Sequence, residues 1–174
     1  MRRSSAILGS AVFLVLAPGT VAGYIPWLLS RWHFGTPFCG FAWLRILGVL
    51  LIAAALPVLL DSFARFAVQG VGTPAPPLPT QHLVVTGFFR YVRNPMYIAV
   101  ASVIFGQGLL FGSRSVLRYG VVVWVAFFLF VVLYEEPALL RTFGAEYRAY
   151  RAHVPRWIPR LRPWTPSQAP PTVS

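Results

Sequence analysis

The chain has 174 residues, of which 57% are hydrophobic and only 11% are charged, against about 25% charged residues in a typical soluble domain. This deficit excludes an ordinary water-soluble domain and indicates that lipid surrounds much of the chain. The formal net charge is +11, and all 15 basic residues are arginine. A basic balance can indicate nucleic-acid binding, but in so apolar a chain anionic lipid headgroups are the expected partner, and no nucleic-acid partner is predicted.

Four apolar segments are predicted to cross the membrane, because a span needs about 20 mainly apolar residues. They are residues 4–30, Phe41 to Leu60, Pro95 to Gly112 and Tyr119 to Tyr134. A short polar turn, Gly112 to Arg118, separates the last two, which should form an antiparallel hairpin. An alternative for the first segment is a cleaved signal peptide, since it follows Met-Arg-Arg and ends near Thr20-Val-Ala-Gly, and three spans would then remain.

The positions of the arginines predict the orientation of these spans. If the N-terminus lies inside, eleven arginines fall on the inner side, and only Arg31, Arg45, Arg114 and Arg118 fall on the outer side. A multi-pass protein of the cytoplasmic membrane with both termini in the cytoplasm is therefore predicted.

The pattern changes after Glu136 and becomes amphipathic. Apolar side chains recur at helical spacing and form one face of a helix: Leu139, Phe143, Tyr147, Tyr150 and Val154. Three arginines lie on another face: Arg141, Arg148 and Arg151. This spacing favours a helix that lies in the membrane interface. The predicted fold class is thus an all-α integral membrane protein with about four transmembrane helices and this C-terminal helix. One domain, residues 1–164, and a disordered tail, residues 165–174, are expected.

A cluster of polar residues, Arg93-Asn94-Pro95, begins the third span. Asn favours the N-cap position of a helix and Pro the first helical position, which alone could explain Asn94 and Pro95. A helix N-terminus also presents free N–H groups, and with Arg90 and Arg93 beside it the site would suit a carboxylate or phosphate. The alternative for both arginines is contact with lipid headgroups.

A second cluster, Glu135-Glu136, follows the fourth span, and the hairpin should bring it to the same membrane face as Arg93. Acidic residues in or near spans are costly and usually face a partner or a cavity. One interpretation is a salt bridge to Arg90, Arg93 or Arg141. The other is that one carboxylate binds a cationic or polyhydroxyl ligand.

Other polar features of the chain have structural interpretations. Asp61 and Arg65 have the i,i+4 spacing of a helical ion pair. Gly106-Gln107-Gly108 lies within a span and favours close helix packing, and it follows no strand, so it is not a dinucleotide loop. No metal-ligand spacing is present. The lone Cys39 does not indicate a redox compartment.

Four motifs in the second half, taken together and in this order, resemble the isoprenylcysteine carboxyl methyltransferase and phospholipid methyltransferase family of integral membrane enzymes. They are Gly87-Phe-Phe-Arg90-Tyr91-Val-Arg93-Asn94-Pro95-Met-Tyr97, Glu135-Glu136, Phe143-Gly144-Ala-Glu146-Tyr147-Arg-Ala-Tyr150 and Val154-Pro-Arg-Trp-Ile-Pro159. The resemblance covers residues 80–160, whereas the first 75 residues match only as generic spans.

The resemblance implies S-adenosylmethionine as the methyl donor, bound at the cytoplasmic face, and a prenylated or lipid-like acceptor. The cofactor-binding candidates are Arg93, Asn94, Pro95, Tyr97, Glu135, Glu136, Tyr147 and Tyr150, together with Arg90 beside the helix N-terminus. Arg93, Glu135 and Glu136 are also the catalytic candidates. Family members often carry His at the position of Asn94, and because Asn does not titrate, proton shuttling is not expected there.

Two other functions remain open from the sequence. Membrane sterol-type reductases, which use a nicotinamide cofactor, resemble the C-terminal pattern more loosely. A non-catalytic membrane scaffold or transporter subunit would use Glu135-Glu136 in structural ion pairs. The nature of the acceptor, carboxylate or amine, and the oligomeric state are also left open.

Overall fold

The structure, a computed structural model, describes residues 16–69 and 83–165, and in these ranges it contains helices and no strands. Two helical stretches, Trp43–Arg65 and Arg114–His153, are long and apolar enough to cross a membrane. Only 28% and 22% of their most apolar windows are buried inside the protein, so most of this apolar surface faces outward. The predicted total of four spans stays a prediction, because the first predicted span lies partly outside the described ranges and the third corresponds to a shorter apolar helix, Pro95–Phe111.

The first described helix covers residues 16–30 and includes a π-helical turn, Thr20–Tyr24, followed by α1, Ile25–Ser30. The chain leaves α1 through Arg31, whose φ is 50°. A short 3-10 turn, Phe38–Gly40, then leads to α2, Trp43–Gln69, which is nine residues longer at its C-terminal end than the predicted second span.

Glycines allow α2 to pack closely on α3, Pro95–Phe111. A Cβ atom at Gly106 would lie 2.7 Å from the carbonyl oxygen of Gly48 and 2.7 Å from Cγ1 of Ile52. Gln107 is buried beside this crossing and donates to the carbonyl of Ala22 at 2.6 Å. The predicted packing role of Gly106-Gln107-Gly108 is thus confirmed.

A tight turn joins α3 to α4, Arg114–Phe130, and the predicted hairpin is confirmed. Gly112 has a φ of 67°, a conformation that glycine adopts without steric cost, and the Ser113 hydroxyl accepts a hydrogen bond from the Val116 amide at 3.3 Å. The prediction that the turn extends from Gly112 to Arg118 was wrong, because this Ser113 cap starts the helix at Arg114.

The polypeptide continues from α4 without a break through a π-helical turn, Val131–Glu135, into α5, Glu136–His153. A kink occurs at Gly144, which has a φ of 49°. Tyr147 and Tyr150 of α5 are buried, while its arginines are exposed; the location of this helix in a membrane interface stays a prediction.

Residues 154–165, here called the return segment, fold back over the start of α3. Three backbone hydrogen bonds hold them there: Arg93 donates to Pro155 at 2.9 Å, Arg160 to Tyr91 at 3.0 Å and Trp164 to Arg90 at 3.0 Å. The tail that was predicted to be disordered begins at residue 165, and residues 166–174 lie outside the described ranges.

We expect Gly106→Ala to lower the free energy of unfolding by about 1–3 kcal/mol, because the added methyl group overpacks the α2–α3 crossing. Thermal unfolding of the detergent-purified protein measures this. The matched control is Gly23→Ala, where a Cβ atom meets no described atom within 4 Å and where stability should be unchanged or slightly higher. Equal effects of the two substitutions would contradict the packing account.

Candidate functional site

The start of α3 is formed by Asn94 at the N-cap position and Pro95 at the first helical position, as predicted. The Asn94 side chain accepts no capping hydrogen bond from the first turn of α3, however. Instead, its amide donates to the carbonyl oxygen of Arg156 in the return segment at 3.1 Å. Asn94 therefore ties two parts of the chain together, and this contact takes the place of the local cap.

The two neighbouring carboxylates point to different partners. Consecutive residues of a helix are rotated by about 100° from one another, so Glu135 and Glu136 cannot share one face. Glu135 ends the π-helical turn and Glu136 begins α5. From these positions Glu135 reaches Tyr97, and Glu136 reaches Arg93.

Glu136 binds two arginines that come from different parts of the chain. Its Oε1 atom lies 3.0 Å from Nη1 of Arg93, just before α3. Arg156 of the return segment makes a two-pronged contact, with Nε at 2.7 Å from Oε1 and Nη2 at 2.9 Å from Oε2. Such paired N–H···O bonds are the strongest form of this interaction. Glu136 thus connects α5, the start of α3 and the return segment.

Burial distinguishes the two arginines that bind Glu136. The side chains of Arg93 and Glu136 are 10% and 11% exposed, whereas that of Arg156 is 33% exposed. Hydrogen bonding to Glu136 raises the pKa of Arg156 above its usual value, so Arg156 is a permanent cation. Two guanidinium groups facing one carboxylate give the triad of Arg93, Glu136 and Arg156 a local surplus of one positive charge, which an ionised Glu135 beside it would balance.

Arg93 has hydrogen-bonding capacity that the described residues do not satisfy. Its Nη1 atom also donates to the Tyr147 hydroxyl at 3.2 Å, but its Nε atom is buried without a partner among the described residues. Buried N–H groups are nearly always paired in folded proteins. An unpaired N–H beside surplus positive charge suits an anionic or strongly accepting ligand group.

Glu135 forms a separate pair with Tyr97, whose hydroxyl donates to Oε2 at 2.7 Å. The Tyr97 ring packs against Phe127 of α4, with ring centroids 4.9 Å apart. Because this packing restricts the ring, the hydroxyl holds the Glu135 carboxylate in one orientation.

The remaining candidates lie around this cluster with different contacts. Tyr147 joins it through Arg93, and Tyr150 packs edge-on against Tyr147, with its hydroxyl donating to the carbonyl of Phe89 at 2.7 Å. Arg90 does not join it: its Nε atom donates to the carbonyl of Trp164 at 2.8 Å.

The structure therefore brings together most of the predicted site. Seven of the predicted residues lie around the start of α3: Arg93, Asn94, Tyr97, Glu135, Glu136 and Tyr147, with Pro95 as the first residue of that helix. The predicted salt bridge of Glu136 to Arg93 is confirmed, and those to Arg90 and Arg141 are not among its contacts.

Arg156 is the site residue that the sequence analysis missed. It lies in the motif that begins at Val154, and its position directly after the predicted helix was the available signal. Its distance of 20 residues from Glu136 in the sequence hides the contact.

Comparison with known proteins places the chain in a family. The family model described as Phospholipid methyltransferase matches residues 43–146, which include the whole of α2, α3 and α4. The Protein-S-isoprenylcysteine O-methyltransferase of Schizosaccharomyces pombe is 39% identical over 82 residues, which are 46% of this chain and 34% of that protein. The match thus spans about a third of that relative's length.

The family match includes the first two of the four motifs that carried the resemblance and part of the third, and the two long apolar helices are consistent with a membrane protein. The chain belongs to the phospholipid methyltransferase family.

Proposed function

We propose that this protein is a membrane methyltransferase that uses S-adenosylmethionine and methylates a lipid-like or prenylated acceptor. The observation that carries the proposal is the meeting of Arg93, Glu136 and Arg156 at the start of α3, in a chain of this family. The arginine distribution, with eleven on the side of the termini, supports a site at the cytoplasmic face.

The residues present fit the proposed cofactor, which carries a carboxylate, an α-amino group, ribose hydroxyls and a sulfonium cation. The surplus positive charge and the unpaired Nε atom of Arg93 suit the carboxylate. Glu135, which is held by Tyr97 and contacts no arginine among the described residues, suits the amino group or the ribose hydroxyls. Asn94 and Glu136 would keep the return segment closed over the site.

The cofactor, when bound, supplies an electrophilic methyl group. The residues of this chain would fix the geometry of the reactants and exclude water, which is most of what transfer to a carboxylate requires. An amine acceptor would also have to be neutral, and Glu135 is then the candidate base. Entry of an apolar acceptor from the side is compatible with the outward-facing apolar surface of α2 and α4.

We expect the detergent-purified protein to bind S-adenosylmethionine and S-adenosylhomocysteine, and Glu135→Gln and Glu136→Gln each to weaken binding at least tenfold. Tenfold corresponds to a loss of about 1.4 kcal/mol of binding free energy. Isothermal titration calorimetry measures the affinities. The control is Arg118→Gln, a charge change of equal size at an exposed position at the other end of the bundle, which should bind as the wild type does.

Failure of the folded wild-type protein to bind either compound would overturn the proposal. A nicotinamide cofactor is titrated in parallel, and binding of that cofactor alone would identify the reductase alternative.

A membrane scaffold is the second candidate function, and the ion pairs of Glu136 are the observation that favours it. In a scaffold these pairs would stabilise the fold and do nothing more. The two functions are distinguished by whether the wild type binds S-adenosylhomocysteine and whether a folded variant with an altered Glu136 cluster loses that binding.

We expect Glu136→Gln to destabilise the protein, since breaking a buried pair costs about 3–5 kcal/mol and the partial exposure of Arg156 reduces that figure. Adding Arg156→Gln should recover part of the stability, because one uncompensated cation is removed. Adding Arg118→Gln instead should recover none. Thermal unfolding measures the stability of the wild type, the single variant and the two double variants.

The double variant Glu136→Gln/Arg156→Gln also separates the two functions. If the protein is an enzyme, the wild type should bind S-adenosylhomocysteine and the folded double variant should not. If the protein is a scaffold, neither the wild type nor the double variant should bind S-adenosylhomocysteine.

A further inference from the structure

A cavity of about 720 Å³ lies beside the proposed cofactor cluster, between α2, the 3-10 turn Gly87–Arg90 and the start of α3. Its walls combine apolar and charged side chains, among them Pro57, Val58, Ile98, Asp61, Arg65 and Arg90. Neither Arg93 nor Glu136 belongs to its described lining. The volume lies within the range of sites that hold small organic ligands.

The charged wall of the cavity includes the ion pair of Asp61 and Arg65, in which Nε donates to Oδ2 at 2.7 Å. Gly87 packs directly on this pair: a Cβ atom at Gly87 would overlap the Arg65 guanidinium and lie 2.7 Å from Oδ2 of Asp61. Gly87 has a φ of 54°, which other residues rarely adopt. Gly87 thus covers one side of the pair, whose two side chains are each 30% exposed.

Arg90 contributes a cation whose described partners are neutral. Its Nε atom donates to the carbonyl of Trp164 and its Nη2 atom to the hydroxyl of Thr165 at 2.6 Å. Asp61 is the one acidic residue in the described lining, and it is already bonded to Arg65. The cavity therefore has two guanidinium groups for one carboxylate.

The apolar residues of the cavity continue along the facing sides of α2 and α3. Pro57 and Val58 lie one turn before Asp61 on α2, and Ile98 lies one turn after the start of α3. A ligand that fills this space would place hydrocarbon along these residues and a polar group at the arginines.

We propose that this cavity binds an anionic amphiphile, with its headgroup between Arg65 and Arg90 and its hydrocarbon chain along Val58 and Ile98. The chemistry shared by possible ligands is a carboxylate or phosphate monoester on a single apolar chain. A cationic headgroup is disfavoured because two guanidinium groups would repel it. The lining includes Pro95 and Arg90, which are also cofactor-binding candidates, but not Arg93, Glu135 or Glu136, so binding at this site is measured without the cofactor.

The direct test uses protein in nanodiscs of zwitterionic lipid and a fluorescent fatty carboxylate as the probe. An alkyl phosphate and an alkyl trimethylammonium of the same chain length are the competitors. We expect the carboxylate or the phosphate to bind at least tenfold more tightly than the trimethylammonium compound, and the stronger of the two identifies the headgroup. Equal affinity of anionic and cationic compounds would overturn the proposal.

Two substitutions with opposite expected signs test the assignment of residues. Arg65→Gln should weaken binding of the anionic probe about fivefold, and Asp61→Asn should strengthen it, because it removes the competing carboxylate. Arg118→Gln should change nothing. A purely structural pair would give no strengthening with Asp61→Asn, and that result would contradict the proposal.

The thermal unfolding midpoint of each variant shows whether weaker binding comes from loss of the fold or from loss of the binding site. Ile98→Trp, which fills the apolar part of the cavity, should reduce binding of all three compounds in a protein that still unfolds cooperatively. Unchanged binding in that variant would show that the probe binds elsewhere and would overturn the site.

Discussion

The negative charge of the buried Glu136 carboxylate has to be compensated by cations, and the rest of the cluster depends on this constraint. An unpaired carboxylate out of water costs several kcal/mol, and here two guanidinium groups offset part of that cost. One precedes α3 and the other lies in the return segment, so the electrostatic requirement of one residue determines where two distant segments meet. The Asn94 side chain and the backbone of Arg93 add hydrogen bonds to the same junction.

The same constraint gives the site its chemical character. Because two cations meet one anion, the structural ion pair leaves positive charge and an unpaired N–H of Arg93 next to a second carboxylate, Glu135, which is oriented by Tyr97. Anion-binding and cation-binding groups thus stand side by side, as a zwitterionic cofactor requires. The cavity beside Arg65 also has more guanidinium groups than carboxylates in its described lining, but its walls are mostly apolar, and it shares only Arg90 and Pro95 with the cofactor-binding candidates. Proximity of the two sites is what transfer of a group from a cofactor to a lipid would need.

The sequence predicted the parts of this site that follow from helix length and periodicity. Two apolar runs with a short turn between them favour a hairpin, and this predicted that the Arg93 and Glu135-Glu136 clusters lie at the same membrane face; their salt bridge was one of two interpretations. It did not predict Arg156, because the return segment has no periodic pattern and its path is determined by hydrogen bonds to the α3 start. Asn94 occupies the predicted N-cap position, but its side chain makes a tertiary contact and no local capping hydrogen bond, which the sequence pattern did not reveal. The continuous helix from α4 to α5 was also missed, since a π-helical turn has no sequence pattern that distinguishes it from a helix end.

Hydrogen–deuterium exchange with and without S-adenosylhomocysteine tests the central claim most directly, because it locates the bound cofactor on the chain. The account predicts that exchange slows at the start of α3, residues 90–97, and in the return segment, residues 154–165, and that both effects disappear in Glu136→Gln. Slower exchange in only one of these segments, or in neither although the compound binds, would contradict the claim that Glu136 joins them into one cofactor site.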